Sequence, residues 1–126
     1  MNTDNDISVG CFKKTYKDEF VFFVDLFIRD KTTLKVWIDV DMPTKYRPFI
    51  KVPDNSWKPT TCSFLCKTIF IDISSKDSNE IVKAIISEFI PMLIQIDAAI
   101  EESNQIINGF IEENIIPRLQ TWDMQY

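Results

Sequence analysis

The sequence predicts an α+β fold, in which an antiparallel sheet of four or five strands over residues 7–73 is covered by a long or kinked C-terminal helix, or a helical pair, over residues 78–119. Two observations predict this class. Stretches beginning at Phe20 and at Leu34 alternate apolar and polar residues with the period of a β-strand. In the last third of the chain, apolar residues recur at alternating spacings of four and three, which is the period of an amphipathic helix.

Composition indicates one soluble globular domain: 126 residues, 45% of them apolar and 26% charged, are typical of an ordinary folded protein. We expect a disordered tail over residues 1–6, a β-rich part over 7–76 and an acidic helical part over 77–126. The polar N-terminal segment lacks the pattern of a secretory signal, and the odd number of three cysteines suits a reducing compartment. These features together predict a cytoplasmic protein.

The two alternating stretches predict an antiparallel hairpin, because turn-like residues from Asp30 onward connect them. Directly opposed residues must lie on the same face, which leaves two registers that keep the apolar sets together. One places Ile28 opposite Val36 and Asp25 opposite Asp39, and the other moves Asp25 opposite Asp41. In either register, two carboxylates would oppose each other on the second face of the hairpin.

Three further strands complete the predicted sheet. A weakly patterned stretch near residues 7–16 is a plausible first strand, and residues 61–73 alternate clearly enough to predict the last one. Residues 46–52 predict a short strand at a sheet edge, because prolines flank and interrupt them.

The helix is predicted to begin at Asp77, since an Asp followed by Glu80 three residues later forms a capping box. Pro91 predicts a kink, and Asn108 with Gly109 predicts that the helix ends and restarts there. A continuous run to residue 114 would measure about 55 Å, which is longer than a compact domain of this size can cover. The chain must therefore fold back on itself, or the projecting part must pack on another subunit. The heptad seam consists of Val82, Ile86, Phe89, Leu93, Ile96, Ile100, Ser103, Ile107, Phe110 and Asn114, flanked by the row Ile85, Met92, Ala99 and Ile106.

Charge is divided unevenly along the chain. Residues 1–76 carry 12 Lys or Arg against 10 Asp or Glu, a net charge of +2, while residues 77–126 carry two against nine, a net charge of −7. A negative field of this kind repels nucleic-acid backbones and attracts basic proteins. We therefore expect a basic protein partner and no direct nucleic-acid or membrane binding. The acids expected to contact this partner are Glu88, Asp97, Glu101, Glu102, Glu112 and Glu113.

The second face of the hairpin is a further predicted contact surface. It brings Phe27 and Trp37 beside Asp39 and Asp41, and aromatic residues supply many of the strongest contacts in protein interfaces. A metal-dependent hydrolase using Asp25, Asp39 and Asp41 is a minor alternative for the same face.

Most enzyme classes are excluded by what the sequence lacks. Without His there is no Ser-His or Cys-His pair, and the two isolated glycines cannot form a phosphate-binding loop. No cofactor, resident metal or catalytic residue is expected. The sequence therefore favours a small acidic inhibitor, of the kind represented by immunity proteins and antitoxins, that neutralises a basic partner such as a nuclease toxin. The alternative is a self-assembling structural component, such as a homodimer, that associates through the heptad seam.

Overall fold

A computed structural model of the chain describes residues 6–61 and 63–123. An open antiparallel sheet of five strands is followed by a long C-terminal helix, which confirms the predicted α+β class. The strand order is β1-β2-β3-β5-β4. The elements are β1 (Asp6–Tyr16), β2 (Phe20–Arg29), β3 (Thr33–Asp41), a 3₁₀ helix (Thr44–Phe49), β4 (Lys58–Pro59), β5 (Leu65–Asp72), α1 (Ser78–Phe110), a π-helical turn (Ile111–Ile115) and α2 (Ile116–Asp123).

β2 and β3 form the predicted hairpin with the predicted apolar face, but both predicted registers were wrong, the nearer one by two residues. Val24 lies opposite Ile38, and the chain turns through Asp30–Thr32. Asp30 and Lys31 adopt positive φ angles of 54° and 64°, which closes the turn one residue earlier than expected. The apolar pattern fixes only which residues share a face, so it cannot exclude a shift of two.

This register changes the second face of the hairpin. Asp25 lies opposite Trp37, Asp39 opposite Phe23, and Asp41 opposite Val21. The expectation that two carboxylates oppose each other was therefore wrong.

The predicted strand over residues 46–52 was also wrong, because the structure has a 3₁₀ helix at Thr44–Phe49. Pro43 lies at its N-terminal end, and the Tyr46 ring packs on Phe20 with centroids 5.0 Å apart. The Tyr46 hydroxyl donates to Glu19 at 2.6 Å. Prolines restrict φ and remove hydrogen-bond donors from a strand, whereas a short helical turn tolerates them and here buries the Tyr46 ring.

The first strand starts where a disordered tail was expected to end. Asp6 belongs to β1 and accepts hydrogen bonds from Arg29 at 2.8 and 3.1 Å and from Lys35 at 3.2 Å. These bonds, chiefly the one from Arg29, lower the pKa of Asp6 from 3.8 to about 2. The tail prediction was thus wrong for Asp6, and residues 1–5 lie outside the described part of the chain.

α1 lies on the apolar inner face of the sheet, and the Phe22 and Phe89 rings meet with their centroids 5.2 Å apart. Its buried residues are Met92, Ile96, Ala99 and Ser103. The buried face therefore combines two residues of the predicted seam, Ile96 and Ser103, with two of the flanking row, Met92 and Ala99. The apolar stripe is wider than a seam, so the sequence alone could not decide which part of it would meet the sheet. The exposed seam residues are Val82, Ile86, Ile107, Phe110 and Asn114.

The helix begins with the predicted capping box and runs without interruption through Pro91 and Asn108. The predicted end at Gly109 was wrong. Gly109 does not take the positive φ of a glycine cap, and the irregular π-helical turn starts only at Ile111. Among the residues that the structure describes, no helix combines the length and apolarity needed to cross a membrane.

Candidate protein interaction surfaces

The C-terminal part of the helix extends past the sheet. Ser103 is the last buried residue of α1, and we call Asn104–Leu119 the overhang. Ile106 and Phe110 follow Ser103 at spacings of three and seven, so they continue the helix face that is buried farther upstream. Their exposed fractions are nevertheless 55% and 59%. The overhang thus presents a core-type face with no sheet beneath it.

The sheet in turn has a part that α1 leaves uncovered. An open cavity of about 510 Å³ lies between the β1 side of the sheet and the first half of α1, and we call it the β1 groove. Its walls are almost entirely apolar, and Lys14 contributes the aliphatic part of its side chain. Phe12, at one wall, is half exposed. The apolar walls come from Phe12, Phe22 and Leu26 on the strands and from Val82, Ile86 and Phe89 on the helix.

Two of the predicted partner-binding acids hold the helix on the sheet. Glu88 pairs with the buried Lys67 of β5. Asp97 accepts hydrogen bonds from the Lys17 ammonium at 2.7 Å and from the Tyr16 hydroxyl at 2.8 Å. The bond from Lys17, supported by the one from Tyr16, lowers the pKa of Asp97 below its ordinary value of 3.8. Lys67 lies in β5 and Lys17 in the turn between β1 and β2, so both cationic partners are distant from α1 in the sequence.

The other four predicted acids point into solvent. Glu101, Glu102, Glu112 and Glu113 are exposed, and none of them takes part in the ion pairs of the described residues. The Gln105 amide donates to Glu101 at a long 3.4 Å. Eleven residues make about three helical turns, so the two pairs fall on about the same side of the helix. We call these four residues the acidic face.

The predicted contact surface on the outer face of the sheet is held together by its own contacts. The Lys35 ammonium lies 5.4 Å from the Phe27 ring centroid and 5.9 Å from that of Trp37. The Trp37 indole donates to Asp39 at 3.0 Å. Arg47 binds Asp41 at 2.8 Å. The structure thus brings Phe27, Trp37 and Asp39 together through short local contacts, while Asp41 lies with the 3₁₀ helix.

The same face was the predicted site of the metal-dependent alternative. Ser63 and Trp37 both donate to Asp39, and Asp41 is paired with Arg47. Within residues 6–61 and 63–123, no group of three or more His, Cys, Asp or Glu side chains is arranged to hold a metal ion. The geometry of Asp25, Asp39 and Asp41 therefore gives this alternative no support in the described part of the chain.

Sequence reasoning missed the β1 groove. The signal was present in β1, where Phe12, Lys14 and Tyr16 alternate and share the inner face with Val24, Phe22 and Phe20 of β2. That signal could indicate a strand but not how far the helix would reach across it.

Comparison with known proteins adds no functional assignment, since no protein-family model, curated protein or solved structure matches this chain.

Proposed function

We propose that this chain is a non-enzymatic binding protein that captures a basic protein partner through the acidic face, as immunity proteins and antitoxins do with their toxins. The observation that carries the proposal is the exposure of four carboxylates on one projecting helix, outside every ion pair of the described residues. Because these carboxylates form no ion pair within the described part of the chain, no such pair has to break when a partner's Lys or Arg approaches. Such a field also accelerates association with a basic protein, most strongly at low salt.

Apolar side chains beside the acidic face supply the binding affinity that exposed charges do not. Exposed ion pairs contribute little affinity, whereas buried apolar and aromatic anchors contribute most of it. Ile106 and Phe110 lie between Glu102 and Glu112 in the chain and are more than half exposed. The expected partner is therefore a protein with an apolar cleft and a basic rim, and neither a nucleic acid nor a membrane. Cys11 and Cys66 are free thiols, which fits a cytoplasmic location for this encounter.

The test is affinity capture from the native lysate at low salt, with mass spectrometry of the proteins that elute as the salt concentration rises. A stoichiometric basic protein should elute, and Glu101→Lys with Glu102→Lys should weaken its binding about tenfold or more. The matched control is Asp18→Lys with Asp30→Lys, which makes the same change of net charge at the two hairpin turns, where Lys17 and Lys31 already adopt positive φ. Equal binding by both variants at low salt would contradict the proposal.

Self-assembly through the helix is the second candidate, and one observation favours it. The apolar side of the overhang is exposed over several turns, and large apolar patches on a folded chain mark association surfaces. The exposed residues are Ile106, Ile107, Phe110, Ile111, Ile115, Ile116 and Leu119.

A further inference from the structure

The overhang and the β1 groove are complementary halves of one incomplete packing arrangement. Ile106 and Phe110 belong to a helix face that lies on the sheet upstream and on nothing downstream. Phe12 and Leu26 belong to a sheet face that carries a helix over its centre and leaves a groove toward β1. Helices and sheets are stable when their apolar faces cover each other. The overhang is therefore an apolar helix face without a sheet, and the β1 groove is an apolar sheet face without a helix.

Their dimensions also agree. The helical wall of the groove extends from Val82 to Leu93, which is about 17 Å at 1.5 Å per residue. The overhang, Asn104–Leu119, extends about 23 Å. It is therefore long enough to cover the groove completely. It cannot reach the groove of its own chain, because α1 runs on without a turn past Ser103.

We propose that a second copy of this chain occupies the β1 groove, with each copy laying its overhang into the groove of the other. A twofold axis perpendicular to the sheets would place the two α1 helices side by side and antiparallel. Ile106 and Phe110 would then point down onto the partner's strands, as Met92 and Ile96 do within one chain. This inference rests on the self-assembly candidate and not on capture of a basic partner.

A row of apolar residues along one side of α1 also supports this antiparallel pairing of the two helices. Ile86, Leu93, Ile100 and Ile107 recur every seven residues and lie beside the buried face rather than within it. In an antiparallel pair, such a row from one helix packs against the same row from the other, so that Ile86 meets the partner's Ile107 and Leu93 meets its Ile100. Ile86 and Ile107 are each about half exposed in the single chain.

The chemistry of the two surfaces favours an apolar helical face over a charged segment. The groove is lined almost entirely by apolar atoms, and the overhang presents Ile106 and Phe110 with few charges beside them. Glu101 lies opposite Ser103 and Phe110 on α1, and Glu102 lies about a quarter turn from them on the side away from the row Ile86 to Ile107. Both therefore stay in solvent, and the dimer keeps its acidic face.

The test measures the dimer dissociation constant of the full chain by sedimentation velocity over a wide concentration range. Phe110→Asp in the overhang and Phe12→Asp in the groove should each raise that constant about tenfold or more. The matched control is Ile94→Asp, since Ile94 is 59% exposed on α1 but belongs to neither surface. Should Phe12→Asp fail to fold by circular dichroism, Ile86→Asp on the helical wall takes its place.

Mixing the two variants identifies the mode of association. The Phe110→Asp chain keeps an intact groove and the Phe12→Asp chain keeps an intact overhang, so a mixture should form a heterodimer tighter than either homodimer. Glu101→Lys with Glu102→Lys should leave the dimer intact, which separates this inference from capture of a basic partner. A wild-type chain that stays monomeric at every concentration would overturn the proposal, as would a Phe110→Asp chain that dimerises like the control.

Discussion

The two parts of the C-terminal helix differ in burial far more than in pattern. Over the sheet, Met92, Ile96 and Ala99 are 0% exposed, while Ile107 and Phe110 in the overhang are 49% and 59% exposed. Both parts carry apolar residues at helical spacing, and only one has a sheet beneath it. An amphipathic pattern thus indicates a face that favours burial, and it does not indicate which chain provides the covering surface.

The sharpest test of this comparison uses the same substitution in both parts. Ile96→Ala should lower the free energy of unfolding by about 2–5 kcal/mol, because it leaves a cavity under a fully buried side chain. Ile107→Ala should change it by less than about 0.5 kcal/mol in dilute solution, where the side chain is half exposed. Urea unfolding at low protein concentration measures both. An equally large loss for Ile107→Ala would mean that the overhang is covered within its own chain.

A smaller effect distinguishes the acids that hold the helix from the acids that face solvent. Glu88→Gln should destabilise the chain by about 1–3 kcal/mol, since it leaves the buried Lys67 ammonium without its closest anionic partner. Glu101→Gln is the matched control and should lie within about 0.5 kcal/mol of wild type. The same unfolding experiment compares them, and the prediction fails if the two variants are equally stable.

The smallest expected effect is the pH dependence of stability that arises from Asp97 and Lys17, the last ion pair before the overhang. The pKa of Asp97 is lowered in the folded chain, so its contribution to stability is complete above its ordinary value of 3.8 and is lost as the pH falls through the lowered value. The pair is half exposed, which limits the contribution to about 1 kcal/mol or less. Unfolding free energies of wild type and Asp97→Asn should therefore converge in acid. A difference in unfolding free energy between the two chains that stays constant at all pH values would show that the charge of Asp97 does not cause it.

The hairpin strands β2 and β3 and the helix start could be predicted because their signals are local. The period of two in β2 and β3 fixes the shared face, and the Asp77 capping box fixes where the helix begins. The register could not be predicted, because it depends on positive φ at Asp30 and Lys31, which no strong turn pair indicates.

The candidate surfaces were predictable only in part. All four residues of the acidic face could be identified from the sequence, because composition and spacing indicate where charged side chains concentrate. It could not separate them from Glu88 and Asp97, whose partners Lys67 and Lys17 are distant in the chain. The β1 groove depends on how far α1 lies from β1, and a tertiary distance of this kind has no local signature.

Amide hydrogen exchange along α1, measured in dilute and in concentrated solution, tests the central claim most directly. Amides of α1 over the sheet should be protected at both concentrations, because that part packs on the chain's own core. Amides of the overhang should exchange rapidly when dilute and become protected when concentrated, since a short helix without packing is marginal in water. Protection of the overhang that is the same at both concentrations would contradict the account.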